Sequence, residues 1–171
     1  MGLYLLSIII IVIGVVLDQF TKNLAVTHLQ DAPIPIIENV FELQYLENKG
    51  AAFGMMQNQQ LFFVVVGVIM LVLFSYMYVK MPHTKRFLPL RACFVAITAG
   101  AIGNMIDRLA LNYVIDFFYF KLIDFPIFNV ADIYVTCATF ALAFLIIFYY
   151  KEDEIDAIFH IFKKKNVIQE S

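Results

Sequence analysis

Eight side chains in this sequence carry charge or amide chemistry close to strongly apolar runs: Asp18, Lys22, Asn104, Asp107, Arg108, Asp116, Asn129 and Asp132. They make four acids, two bases and two amides. Elimination narrows what they could do. Serine occurs only at 7, 75 and 171, and Ser7 and Ser75 lie in apolar segments with no base nearby, which argues against a serine nucleophile. His28, His83 and His160 are far apart, and Cys93 and Cys137 lack C-x-x-C spacing, so neither a metal centre nor a disulfide framework is expected. No phosphate-binding loop is present. Paired carboxylates remain. Two of them about 4 Å apart repel by roughly 4 kcal/mol at an effective dielectric of 20, about three pKa units. Near neutral pH such a pair shares one proton. One member is then a base that activates water and the other an acid, and the pair titrates as a unit.

The elements that position these residues follow from composition. The chain has 171 residues, 62% hydrophobic and 15% charged, with a mean hydropathy of +0.82. A soluble domain averages roughly 45–50% apolar and about 25% charged, so a soluble domain is excluded. The net charge of −2 shows no basic excess, which argues against nucleic acid as a partner. A bilayer core needs about 20 mostly apolar helical residues. Uncharged runs cover 3–17, 61–79, 92–106 and 133–150, the first continuing through Asp18 and Lys22 to about residue 27. The first run has no basic leader and no A-x-A site, so it is read as a retained span rather than a signal peptide. The expected fold is an all-α polytopic membrane protein with four transmembrane helices and a small extracytoplasmic β-sheet.

Orientation follows from lysine and arginine. Lys80, Lys85, Arg86 and Arg91 lie between spans two and three, and Lys151 and Lys163 to Lys165 follow span four. The opposite loops hold only Lys49 and Lys121, which puts both termini in the cytoplasm. All eight polar residues then gather near the outward ends of spans one, three and four. A charge at the centre of a span costs about 2.5–3.5 kcal/mol, and convergence on one depth is the main sign of a site.

Each residue also has a plainer role. Asp18 and Lys22 stand i, i+4 with the acid first, the favourable order for a helix ion pair. Asn104, Asp107 and Arg108 share a helix face and could knit helices together. Asn129 could cap span four with Asp132 three residues on. Asp116, between Ile115 and Phe117, is poorly placed for a merely solvated carboxylate. Ala96 with Gly100, and Ala99 with Gly103, are small-xxx-small pairs that admit a neighbouring helix. In the first outer loop Phe41-Glu-Leu-Gln-Tyr45 alternates like a half-buried strand, with Pro33 and Pro35 at its approach and a turn at Asn48-Lys-Gly50. The expected sheet spans about 33–56 within a domain of 1–150. The tail, 151–171, places Ile155, Ile158, Phe159 and Phe162 at helical spacing and is expected to lie along the cytoplasmic interface.

The motifs Asp18-Gln-Phe-Thr-Lys22, Asn48-Lys-Gly-Ala-Ala-Phe-Gly54, Gly103-Asn-Met-Ile-Asp-Arg108, Val114-Ile-Asp-Phe117 and Phe128-Asn-Val-Ala-Asp132, in this order across four spans, resemble the lipoprotein signal peptidase (signal peptidase II) family. The resemblance covers about residues 5 to 150. It implies an intramembrane aspartyl endopeptidase of the bacterial inner membrane that cleaves a diacylglyceryl-modified prolipoprotein before its lipidated cysteine. It also implies that Asp116 and Asp132 are the catalytic pair. The residues implied to support the pair or hold substrate are Asp18, Lys22, Asn48, Gly54, Asn104, Asp107, Arg108 and Asn129. No metal or cofactor is implied; membrane lipid and a globomycin-type inhibitor are implied partners, and a monomer is expected. Asn112 stands where many relatives carry glycine, and asparagine is the residue that best tolerates the left-handed conformation a glycine supplies. A sheet that clamps the substrate, with Phe53 against lipid, completes the expectation. The alternative outside the enzyme class is an ion or proton carrier, against which the acids cluster at one interface instead of crossing the membrane. A substrate-binding pseudoenzyme is disfavoured because both aspartates are present.

Overall fold

The structure, a computed structural model, describes residues 2–50 and 59–159. Among the described residues four helices are long and apolar enough to cross a membrane. They are α1 (Gly2–His28), α2 (Gln60–Lys80), α3 (Leu88–Leu111, entered through a 3-10 turn at Lys85–Phe87) and α4 (Val130–Phe144, continued by a π-helical stretch at Leu145–Tyr149). A short helix α5 (Glu152–Phe159) follows. Their outer faces carry large apolar side chains, with Leu61 76% and Phe140 74% exposed. A lipid solvent is what such a surface requires, because continuous apolar exposure on this scale is not sustained in water.

Helix α3 is the hub. Of its most apolar window 56% is buried, against 11% for α1 and for α2 and 17% for α4. Small residues make this close packing possible. A methyl group added at Gly100 would collide with the Ala131 carbonyl of α4, and one at Gly14 would lie 3.1 Å from Ala99. A methyl at Gly103 would lie 2.5 Å from Asp18 Oδ2, so the small-xxx-small pairs bring α1, α3 and α4 to one point. At one end of the bundle Met77, Met81, Phe87, Leu90, Phe94 and Tyr150 form a core, and Ile155 of α5 packs on it. At the other end Ala25 of α1 and Leu29, just past its end, pack with Ile115 and Phe117 of the sheet.

The sheet is antiparallel in the order β1 (Ile34–Ile37), β2 (Phe41–Asn48), β3 (Val114–Tyr119). This corrects the expected layout in two ways. Pro35, read as the approach to the 41–45 strand, is itself part of a strand, β1, which is tolerated because β1 is an edge strand. The third strand comes from some 70 residues downstream of its partner β2, from a stretch read only as outer loop. Val114-Ile-Asp-Phe-Phe-Tyr119 is β-branched and aromatic, so it suits a strand once β2 supplies a partner. The turn at Asn48 holds, with Gly50 N donating to Asn48 Oδ1 at 3.0 Å. The remainder of the expected sheet, with Phe53 and Gly54, lies outside the described residues, as do the side chains of Ile158 and Phe159, and Phe162 with Lys163 to Lys165.

Candidate active site

Three junctions build the site. The first is the exit from α3, where Asn112 ends the helix at φ 64°, the left-handed conformation expected of it. The chain turns there into β3, and Asp107 Oδ2 accepts from Ile115 N at 3.1 Å, which ties the strand to the helix. Asp116 follows, opposite Leu46 in the β2–β3 register.

The second junction is the start of α4. Phe118 N donates to Phe128 O at 2.8 Å and Phe128 N to Phe118 O at 3.1 Å, which holds 128 and 129 against β3. Asn129 then caps α4: its Oδ1 accepts from Asp132 N at 2.9 Å, and its own N donates to Asp132 Oδ2 at 3.1 Å, a reciprocal capping box. With its oxygen committed to the cap, its Nδ2 is free to donate to Asp116 Oδ1 at 2.6 Å. One asparagine therefore wires both aspartates together. The capping role foreseen for Asn129 and Asp132 is present, and it is also what orients the site.

The third junction joins α1 to α3. Lys22 is 1% exposed and lies 2.8 Å from Asp18 and 2.8 Å from Asp107, both of them buried. Its Nζ also donates to Asn104 Oδ1 at 2.9 Å. An ammonium is donor-only, so this contact fixes which end of the Asn104 amide faces it. The Asn104 Nδ2 is then directed to Asp132 Oδ1 at 2.8 Å. Asp18 Oδ1 accepts from Ala131 N at 2.9 Å, which seats the first turn of α4. On the strand side Asn48 Nδ2 donates to Asp116 Oδ2 at 2.8 Å. Each of the four oxygens of Asp116 and Asp132 thus faces an N–H donor.

Asp116 and Asp132 line one cavity of about 790 Å³ with Asn48, Arg108, Tyr119 and Phe128. Arg108 stands with its guanidinium carbon 4.9 Å from the Phe63 ring centre, and its buried Nε has no hydrogen-bond partner among the described residues. Burial pushes the Asp116 carboxyl up to about 7, and the facing charge of Asp132 pushes the same way. The donors Asn48 and Asn129 and the charge of Lys22 oppose the rise.

Of the residues singled out from sequence, Asp18, Lys22, Asn48, Asn104, Asp107, Asp116, Asn129 and Asp132 form one connected network, and Arg108 shares the cavity with the two aspartates. Gly54 lies outside the described residues. Gln19 escaped notice. Its Nε2 donates to Asp107 Oδ1 at 2.8 Å and to Gly103 O at 3.1 Å, bracing the ion cluster. Its signal was available, as an amide inside an apolar span beside Asp18.

Fold and site together define a polytopic membrane protein with a buried carboxylate pair facing a cavity at one end of a four-helix bundle. The family model for signal peptidase (SPase) II matches residues 10–148. The lipoprotein signal peptidase of Caldanaerobacter subterraneus subsp. tengcongensis is 43% identical over 145 residues, covering 84% of this chain and 97% of its own length. That of Clostridium tetani is 40% identical over 153 residues, covering 86% and 94%. A solved bacterial membrane enzyme superposes with a TM-score of 0.75 at 30% identity, covering 82% of this chain and 86% of its own. The chain belongs to the signal peptidase II family. Family and spans fit a multi-pass peptidase of the bacterial inner membrane.

Proposed function

We propose that this chain is an aspartyl endopeptidase that removes the signal peptide from diacylglyceryl-modified prolipoproteins by cutting the bond before the lipidated cysteine, with Asp116 and Asp132 as the catalytic pair. The observation that carries this reading is the wiring of both carboxylates through Asn129 at the wall of one cavity. At neutral pH Asp116 holds the shared proton, in keeping with its raised pKa of about 7. Asp132 acts as the base, because it stands in the first turn of α4, where the positive end of the helix dipole favours a carboxylate.

A water between them gives a proton to Asp132 as its oxygen attacks the scissile carbonyl. Asp116 hydrogen-bonds the carbonyl oxygen as negative charge develops there. The tetrahedral intermediate collapses, the C–N bond breaks, and the proton taken up by Asp132 passes to the departing amine of the cysteine. The signal peptide leaves with a new carboxyl group, whose proton passes to the freed amine, and the pair again holds one proton. Lys22 keeps Asn104 aimed at Asp132, and Asp18 and Asp107 keep Lys22 in place. Arg108 and Asn48 hold the substrate backbone.

The substrate's acyl chains stay in the bilayer, since each buried CH₂ contributes about 0.8 kcal/mol. The site must therefore open sideways to lipid as well as to water. Both termini face the cytoplasm and the pair faces outward, as the lysine and arginine distribution implies. The test is cleavage by the purified chain in lipid. A diacylated prolipoprotein should yield a free signal peptide and a new amino-terminal lipid-bearing cysteine, and a globomycin-type cyclic peptide should stop the reaction. Equal cleavage of the unlipidated precursor, or none of the lipidated one, contradicts the assignment.

A further inference from the structure

At the end of the bundle away from the aspartates, a second polar group is buried without an explanation in the chemistry above. Arg91 stands in the first turn of α3 and is 2% exposed. Its Nη2 donates to the Met81 carbonyl at 2.6 Å, and the Tyr78 ring lies 4.5 Å from its guanidinium carbon. Its Nε and Nη1 have no hydrogen-bond partner, and it forms no ion pair among the described residues. The positive end of the α3 dipole adds to the imbalance. Arg86, five residues earlier, is by contrast neutralised by Glu154 at 2.9 Å. A buried cation with no counter-ion is strongly unfavourable and draws an anion to it.

Arg91 lines a groove of about 410 Å³ that runs between α1 and α3. Its walls are Leu6, Ile10, Ile13, Leu17, Val95 and Ala96, a stretch as long as an acyl chain and almost free of polar atoms. The hydroxyls of Ser7 and Tyr78, hydrogen-bonded to each other, line the same groove. From Arg91 to Arg108 is about 25 Å along the helix axis, so this groove mouth is remote from the catalytic cavity.

We propose that this groove is a binding site for one anionic glycerophospholipid: an acyl chain fills the channel between α1 and α3, and the phosphodiester neutralises Arg91. As the Tyr78 side chain turns aside, the phosphate oxygens accept from Nε and Nη1. Charge selects the occupant. Basic pockets between transmembrane helices suit anionic headgroups, and the leaflet at this end is the negatively charged one in the orientation proposed above. A signal helix, whose leading end is basic, would be repelled there.

The test is native mass spectrometry of the full chain, released from bilayers of equimolar phosphatidylglycerol and phosphatidylcholine with matched chains. The wild type should retain phosphatidylglycerol at least fivefold over phosphatidylcholine. Arg91→Gln should bring that ratio close to one. Ala92→Phe, which keeps the guanidinium but fills the groove beside it, should do the same while leaving prolipoprotein cleavage intact. Lys85→Gln, at an exposed position outside the groove lining, should leave the preference unchanged. Equal retention of the two lipids by the wild type overturns the proposal, and so does an undiminished preference in Ala92→Phe. Loss of cleavage in Ala92→Phe with lipid retention intact would give the groove to the signal helix instead. Should Arg91→Gln not fold, the wild-type ratio and Ala92→Phe decide the question alone.

Discussion

A carboxyl in water loses its proton near pH 4, whereas Asp116 keeps its proton to about 7, because burial and the neighbouring Asp132 both penalise its charge. The reaction needs that proton, so cleavage should decline as pH rises past this value. Asn48 and Asn129 donate to the carboxylate and so favour its charged form. Replacing Asn48 with Ala should therefore move the alkaline limb of the pH–rate profile upward; a downward shift would contradict the assigned donor role. The same carboxyl affects stability. Its folded pKa is raised, so the folded chain binds this proton more tightly than the unfolded chain. Its contribution to stability is full below about pH 4 and is lost as pH rises toward 7. Asp116→Asn, neutral throughout, should unfold at a higher temperature than wild type above pH 7, with the gain shrinking toward pH 4. At this scale much was legible, because charged and amide side chains beside apolar spans have few reasons to be there. Gln19 was not, because an uncharged amide raises less alarm than its neighbour Asp18.

The start of α4 shows how an element can serve structure and chemistry with one residue. Asn129→Ala should cost about 1 kcal/mol of helix stability as a lost cap, readable by thermal unfolding, and should abolish cleavage as well. Asn129→Asp keeps a capping oxygen but cannot donate to Asp116. It also sets a third carboxyl, fully buried, against Asp116, so it should unfold at a lower temperature than wild type and lose most of its kcat, and a stable, fully active Asn129→Asp would contradict the wiring. At the end of α3, Asn112→Gly should be tolerated, since glycine reaches φ 64° without strain, whereas Asn112→Val should destabilise by about 1–2 kcal/mol. The helices were legible from apolar run length, and the left-handed turn from residue type. Strand β3 was not. Its pairing with β2 is set by tertiary contact across some 70 residues, and six residues with an aspartate in the middle give no period to read.

Across the whole molecule, one buried ammonium, Lys22, and its two carboxylates lock α1 to α3, and Asp18 holds α4 to them through Ala131 N. Lys22→Met leaves Asp18 and Asp107 buried without their cation and should cost about 3–5 kcal/mol in thermal unfolding. A change below about 1 kcal/mol would mean that the cluster does not hold the bundle. Topology is testable in the same frame. A cysteine at Glu38 on the sheet side should react with an impermeant thiol reagent in intact cells, and one at His83 only after permeabilisation. The reverse pattern would invert the orientation drawn from Lys80, Lys85, Arg86 and Arg91. The depth at which the polar residues meet was legible from sequence, because the span ends fix it. Which donor faces which oxygen was not, because amide orientation is decided by Lys22 and the cap, which come from different helices. The account rests most directly on one comparison, the cleavage rate of a diacylated prolipoprotein by wild type, Asp116→Asn and Asp132→Asn, each shown to be folded. Loss of acid–base catalysis should lower the rate of either variant by about 10²–10⁴-fold. Cleavage within a few-fold of wild type by either one would contradict it.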